Sequence, residues 1–399
     1  MERFVSKGPN GGKTWSALRH SQSAFFVGDP ERNFQNRQLA QIDPSIVLQG
    51  KHPRLIDEWQ EVPSLWDAVR FTVDQSTSKG QFILTGSATP SYKGVMHGGT
   101  GRIARLRMLS MSLFESGNSS GKVSLKDLCE GKFENVMTEE VNLLSLASFI
   151  LRGGWPGSLQ LATEDAIKIP LHYLDNVITN DVAKVDDKVR DEAKMRLLLR
   201  SLARNESTTA TMARLKSDIK GVDQLTIDET TIADYLNIFE KLFIIENQKP
   251  FAVALRSSLR IKQAEKRHFT DPSFACSLLG ITTEQRLIGD LRTFGFLFEA
   301  LCERDLRIYA NSFGANLLHY QDYNNDEIDA VVELPDGRWS AFEIKLGANQ
   351  IDEAAAKLLK INKKFAHPAT TLCVICGLSN AAYKREDGVY VVSITALKP

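Results

Sequence analysis

Up to about Glu115 the chain alternates short apolar runs with helical periodicity. The runs are FVSK, AFFVGD, PRLIDE, QFILTGS and RIARLRMLSMSLFE, and a helical pattern begins at Thr14. This alternation predicts a parallel sheet covered by helices. SGNSSG, Ser116 to Gly121, reads as a surface loop or linker. From about Val141 to Gly280 the pattern is mostly helical, interrupted by GGWPG at Gly153 to Gly157. Between Glu192 and Asp271 it reads helix, helix, helix, strand (FIIEN) and a basic wing. Asp228 can cap the third helix, whose stripe is Ile232, Tyr235, Leu236, Phe239, Leu242 and Phe243. A long helix from Thr283 to about Asp305 follows, then strands about a turn at Pro335-Asp336-Gly337, a helix from Ile351 to Lys363, and the strands TLCVIC and VYVVSI. The expected fold is α/β and multidomain: a parallel-sheet core at 1–115, a linker and helical region at 116–190, a winged helix at 191–282 and an α/β domain at 283–399.

Composition narrows the function classes. A chain of 399 residues exceeds one hydrophobic core. Lys plus Arg equals Asp plus Glu at 49 each, so no global field draws it to nucleic acid or membrane, and any such binding needs a local patch. Five cysteines at irregular spacing suit a reducing compartment. The first thirty residues hold no signal-peptide core, and no apolar run approaches membrane-span length, so a soluble cytoplasmic protein without a membrane partner is expected.

Three stretches in the first region carry linked chemistry. GPNGGKTW, residues 8–15, is one residue shorter than the usual phosphate loop, with three residues between Gly8 and the Gly12-Lys13-Thr14 triplet. Gly8, Gly11 and Gly12 would let backbone amides curl around phosphate, and Lys13 would add a point charge at a helix start. LIDE ends a strand in Asp57, suited with Thr14 to hold Mg²⁺, and Glu58, suited to polarise an attacking water. FILTGS ends in Thr85 and Ser87, which could sense a terminal phosphate. Arg102 and Arg105 follow a glycine-rich turn; an arginine there could serve a neighbouring subunit's site in a homo-oligomer, or simply flank a strand at the surface.

NFQNRQLAQ, RLIDEWQEVPSLWDAVR, GQFILTGSATP and GRIARLRMLSMSLFESG resemble a widespread group of prokaryotic AAA-type ATPases that carry a C-terminal domain of unknown function, with a winged helix and a restriction-endonuclease-like tail. The resemblance implies an ATP-binding core with Lys13, Thr14, Asp57 and Glu58 in the standard roles. The chain departs from that pattern at Lys7, which occupies the register of the first glycine, and in a preceding strand of only six or so residues.

Two further constellations concern nucleic acid. Arg256, Arg260, Lys262, Lys266 and Arg267, opposed only by Glu265, could grip DNA phosphates, or form a solvated or domain-packing face. In EIDAVVELPDGRWSAFEIKLG, folding about Asp336 sets Asp329 opposite Glu343, with Lys345 two residues on and on the same face. Two such acids can hold Mg²⁺ or Mn²⁺, while the lysine orients water and stabilises developing charge. Glu299, in LFEALCERD, is a candidate further ligand, and Gln350 a weaker addition. The pattern resembles the PD-(D/E)xK nuclease superfamily, whose fold also serves binding proteins, so cleavage and structural or binding use both stay open. Cys373 and Cys376 lie inside an apolar strand and His97 in a loop, neither suggesting a metal. The sequence therefore points to an ATP-driven or ATP-gated protein acting on nucleic acid. The alternatives are a nucleotide switch whose tail only binds a partner and a degenerate relative with neither activity.

Overall fold

The structure, a computed structural model, describes residues 2–6, 12–86, 101–186, 188, 190–252 and 264–399. The chain divides into two compact units. The smaller comprises Met1–Ser110, Thr179–Arg190 and Lys241–Phe243; the larger comprises Met111–Ile178, Asp191–Glu240 and Ile244–Pro399.

In the smaller unit, β1 (Glu2–Ser6), β2 (Ser23–Phe26), β3 (Arg54–Asp57), β4 (Phe82–Thr85) and β5 (Ile103–Arg107) form one sheet in the order β2-β3-β4-β1-β5. Every pairing is parallel. Parallel neighbours need crossovers, which the helices Lys13–Arg19, Glu31–Ile42, Pro44–Leu48 and Ser64–Asp74 help to supply. Its central strands β3 and β4 are buried on both faces and read as continuous apolar runs. Leu55 and Ile83 pack with Ala17 on one side; Ile56, Phe82 and Leu84 pack on the other with Trp59, Leu65, Trp66 and Val69. The short β1 is paired on both sides, over Arg3–Val5 with β4 and over Glu2–Ser6 with β5.

The larger unit is built on an eight-stranded mixed sheet. Its strands are β7 (Val136–Met137), β8 (Lys249–Pro250), β9 (Asn316–Gln321), β10 (Glu327–Glu333), β11 (Trp339–Lys345), β12 (Thr371–Cys376), β13 (Ala381–Lys384) and β14 (Tyr390–Val392). Their order is β7-β13-β14-β12-β11-β10-β9-β8, and β6 (Val123–Ser124) pairs separately with β15 (Leu397–Lys398). The helix Ile351–Asn362 crosses from β11 to its parallel neighbour β12 and seats Ile351, Ala354, Ala355, Leu358 and Ile361 in the sheet core. The helix Leu291–Ser312 leads into β9 and also packs on the sheet.

At the expected boundary of 190 the chain passes from the smaller unit back into the larger, whereas 282 falls inside the larger unit. β7 and β8, from segments assigned to other domains, are the two edges of the C-terminal sheet. SGNSSG is not a free linker either: Ser119 Oγ donates to the Leu397 carbonyl at 2.5 Å and the Ser120 amide to the Thr395 carbonyl at 2.8 Å. The three expected helices are present as Glu192–Arg204, Met212–Val222 and Glu229–Lys241. After them, segments 244–252 and 264–270 run antiparallel through the bridges Ile245↔Phe269 and Gln248↔Lys266. The long helix expected from Thr283 is broken at Gly289-Asp290, where the Asp290 carboxylate accepts from the Thr293 amide and starts a second helix. Among the described residues no helix is long and apolar enough to cross a membrane.

Candidate functional site

The strand order of the smaller unit brings the carboxyl ends of β1, β3 and β4 side by side. Gly12 sits at φ 67°, ψ 28° as the N-cap of the helix Lys13–Arg19, a left-handed conformation that favours glycine. From the helix start Thr14 Oγ1 donates to Asp57 Oδ1 at 3.0 Å, and from the neighbouring strand Thr85 Oγ1 donates to the same oxygen at 2.5 Å. Two hydroxyls and a carboxylate thus converge, a set of hard oxygen donors of the kind that suits Mg²⁺. Glu58, next along, takes a left-handed φ of 55° as the chain leaves β3, and its carboxylate accepts from Gln60 Nε2. Gly8, Gly11 and Ser87 lie outside the described residues, as does the shortened part of the loop. Arg102 precedes β5, whose register pairs Ile103 with Glu2, so it lies at the amino end of the parallel sheet, opposite to Asp57 and Thr85. There it forms an ion pair with Asp74.

The second group lies on the β10–β11 hairpin. A three-residue loop, Pro335 to Gly337, closes it: the Leu334 amide donates to the Arg338 carbonyl and Gly337 takes φ 84°. Ala330 pairs with Phe342 and Val331 with Ala341; one step further in this register Asp329 falls opposite Glu343, as the sequence implied. The pairing of β10 with β9 slips by one residue between Ile328 and Val331, a bulge that re-aims Asp329. Asp329 and Glu343 are buried, and Ile344 donates its amide to Asp329 Oδ2 at 2.8 Å. Lys345 Nζ stands 3.5 Å from Asp329 and 2.9 Å from Glu343, and Lys357, on the crossing helix, stands 3.0 Å from Glu343. Neither oxygen of Glu343 meets a donor in full hydrogen-bond alignment, though both are ion-paired, one with Lys345 and one with Lys357.

The structure therefore brings Glu299, Asp329, Glu343 and Lys345 together, and adds residues the sequence reading missed. Lys266, read within the basic run as a DNA contact or as part of a solvated or packing face, is 6% exposed and forms ion pairs with Glu299 and, at 3.9 Å, Asp329. Arg267 donates Nε to the Ala210 carbonyl at 3.1 Å, and Arg256, Arg260 and Lys262 lie outside the described residues. Glu303, one turn after Glu299 and buried, accepts from Gln248. The i, i+4 pair of acids in LFEALCERD could have flagged Glu303; nothing in the local pattern points to Lys357. Among the described residues no group of three or more His, Cys, Asp or Glu is placed to hold a metal ion as the side chains stand, because lysine ammoniums lie between the acids.

A cleft of about 520 Å³ opens over this group, with Glu299, Ile344, Lys345 and Gln350 among its lining residues. Burial, reinforced by the Asp329 charge, pushes Glu343 up to about 7. Burial also raises Glu299 to about 7 against the pull of Lys266. It works to raise Asp329 too, but the ammoniums of Lys345, Lys266 and Lys357 outweigh it and hold that carboxyl down to about 2. A carboxyl raised above its ordinary 4.5 contributes stability that is full below 4.5 and lost as pH rises through 7. Without divalent cations, the wild type should therefore gain stability relative to Glu343→Gln as pH falls from 8 to 5. Taking the difference between the two removes the opposite contributions of the buried His268 and His319, which burial lowers. Urea midpoints of the pair at both pH values check this, and a gap that moves the other way contradicts it.

Residues 10–116 match the family model described as an AAA domain. This segment is an AAA-type P-loop domain. Two matches to domains of unknown function follow, DUF8612 over residues 143–285 and DUF4143 over residues 294–397. The chain is 25% identical over 342 residues to uncharacterized proteins of Mycobacterium bovis and Mycobacterium tuberculosis, a match covering 84% of this chain and 68% of each relative. A Walker-type ATPase of Pyrococcus abyssi aligns with 70% of this chain and 90% of its own at 12% identity, with a TM-score of 0.37, too low to establish a common overall architecture.

Proposed function

We propose that the AAA domain binds ATP with Mg²⁺ and that the larger unit hydrolyses nucleic-acid phosphodiesters with the help of a divalent cation. Thr14 and Asp57 would hold the magnesium, Lys13 and Gly12 the phosphates and Thr85 the terminal phosphate, while Glu58 would orient the water. In the larger unit Asp329 and Glu343, with Glu299 in support, would hold Mg²⁺ or Mn²⁺. The cation would supply an activated water and charge neutralisation, and Lys345 would orient that water at the phosphate. Residues 191–282 would act as a winged helix, with Arg256, Arg260, Lys262 and Arg267 against DNA phosphates. Arg102 could serve only a neighbouring copy in a homo-oligomer. The observation that carries this reading is the placing of Asp329, Glu343 and Lys345 on adjoining strands below a cleft, with the Glu343 oxygens lacking an aligned donor.

The deciding assay is cleavage of single- and double-stranded DNA and RNA by the full chain with Mg²⁺ or Mn²⁺, with and without ATP. Cleavage should require metal and vanish in Glu343→Ala and Lys345→Ala; intact substrates under every condition would sink the nuclease reading. That outcome would favour the second reading, a nucleotide switch with an inactive tail, which the three lysines standing among the acids support. For the AAA domain, Mg-ATP at about 100 times its dissociation constant should add about 2.7 kcal/mol to stability. The thermal shift should disappear in Lys13→Ala, and the absence of any shift in wild type at millimolar ATP would contradict nucleotide binding.

A further inference from the structure

The cleft over the acid group has a wall with an unusual composition. The helix Leu291–Ser312 buries Phe294, Leu297, Phe298 and Leu301, and turns Arg292, Gly295, Phe296 and Glu299 into the cleft. Those four positions are spaced as one face of a helix. Gly295 is the odd member. Glycine inside a helix weakens it relative to alanine, yet a Cβ at Gly295 would meet nothing within 4 Å. Its φ is not positive, so neither packing nor backbone geometry requires glycine there. What its bare backbone provides is open space in the wall beside Phe296, a large ring left 36% exposed.

We propose that this cleft receives one unpaired base, stacked against Phe296 over Gly295, so that the nucleic acid acted on is single-stranded or frayed where it meets Glu299 and Lys345. The proposal rests on the nucleic-acid reading above and names its substrate class. A flat base needs an apolar face to stack on and a gap free of side chains, and aromatic stacking accepts every base. Unpaired bases are recognised in this way, whereas paired ones are closed off within the duplex. The volume of about 520 Å³ equals a cube roughly 8 Å on a side, within the range of small-ligand sites. Phe296, Glu299 and Lys345 line the same cleft, and the helix rises about 4.5 Å from Phe296 to Glu299, so a phosphate next to a stacked base would lie beside Glu299 and Lys345. Arg292, at the exposed start of the same face, supplies a cation for a neighbouring phosphate, and Gln350 offers an amide to a base edge.

The test uses the full chain and two fluorescein-labelled probes, an oligo-dT of about 20 nucleotides and a DNA hairpin of the same length. Binding is read by anisotropy and cleavage on gels with Mn²⁺. Wild type should bind oligo-dT at least about tenfold more tightly than the hairpin. Phe296→Ala should weaken oligo-dT binding by about five- to a hundredfold, the range of one lost stack, with little effect on the hairpin. Gly295→Leu should weaken it similarly while the melting temperature stays level or rises, since leucine is the better helix former; Gly295→Ala should raise the melting temperature with a smaller binding loss. Equal or tighter hairpin binding, or oligo-dT binding unmoved by both Phe296→Ala and Gly295→Leu, overturns the base pocket, and so does no binding of either probe. Duplex cleavage unaffected by these variants removes the pocket and leaves the nuclease reading standing. The predicted binding pattern without cleavage does the reverse.

Discussion

Lys266→Met should destabilise the larger unit by about 3–5 kcal/mol, the scale for removing one partner of a buried ion pair. The lysine is 6% exposed and stands between Glu299 and Asp329, with Glu303 close enough for its charge to be felt. Burial alone would discharge it, but those carboxylates outweigh the desolvation and push its pKa up, so the ammonium stays charged at every accessible pH. Methionine keeps most of the volume and removes the charge, so Glu299, which burial already raises, must take up a proton or lie uncompensated beside Asp329. The double variant Lys266→Met, Glu299→Met should recover much of the loss, because it removes the uncompensated acid together with its partner. Denaturant titrations of wild type, single and double variants measure both quantities. A single-variant loss below about 1 kcal/mol would mean that Lys266 is not the counter-ion described.

Lys266 also shows where the sequence was silent. In one dimension it belongs to a basic run, and such a run is most simply a solvated face. Its burial follows from the antiparallel pairing of 264–270 with 244–252, which turns Lys266 beside Gln248 and under the helix that carries Glu299. Such a contact has no local pattern. The hairpin was legible because Pro335-Asp336-Gly337 fixes the loop and period-two alternation then fixes the register, which carries Asp329 to Glu343 without tertiary information. The bulge that turns Asp329 was not, since it depends on pairing with β9 across a separate turn. The parallel character of the first sheet could be read from its apolar runs, but its strand order could not, because runs alone do not say which strand lies beside β1. GGWPG was read as a break between helices. Its second glycine has a tertiary reason: a Cβ on Gly154 would lie 2.2 Å from the Met111 carbonyl oxygen, where the two backbones also share a 2.8 Å hydrogen bond.

Arg304→Met should cost a similar amount, about 3–5 kcal/mol, but through a group of different character. Arg304 Nη1 donates to Asp271 at 3.1 Å and Nη2 to Asp305 at 2.7 Å, with both carboxylates fully buried. The two acids also take backbone amides from distant parts of the chain: Gly154 donates to Asp271 at 2.9 Å, and Leu113 to Asp305 at 2.8 Å. Removing the guanidinium thus loosens four segments at once, around residues 113, 154, 271 and 305. A double-mutant cycle between Arg304→Met and Asp305→Asn should give a coupling of at least about 1 kcal/mol, since the residues share a buried network; additive losses would refute it. Here every carboxylate meets aligned donors, whereas the Glu343 oxygens meet none. A network fully paired by aligned hydrogen bonds has nothing to gain from an added cation, whereas Glu343, held by ammoniums alone, could exchange them for one. Mg²⁺ should therefore stabilise wild type and Arg304→Met equally, leaving the cost of that substitution unchanged, and should stabilise Glu343→Gln less. A magnesium effect of the same size in all three proteins would place the cation away from the β10–β11 hairpin.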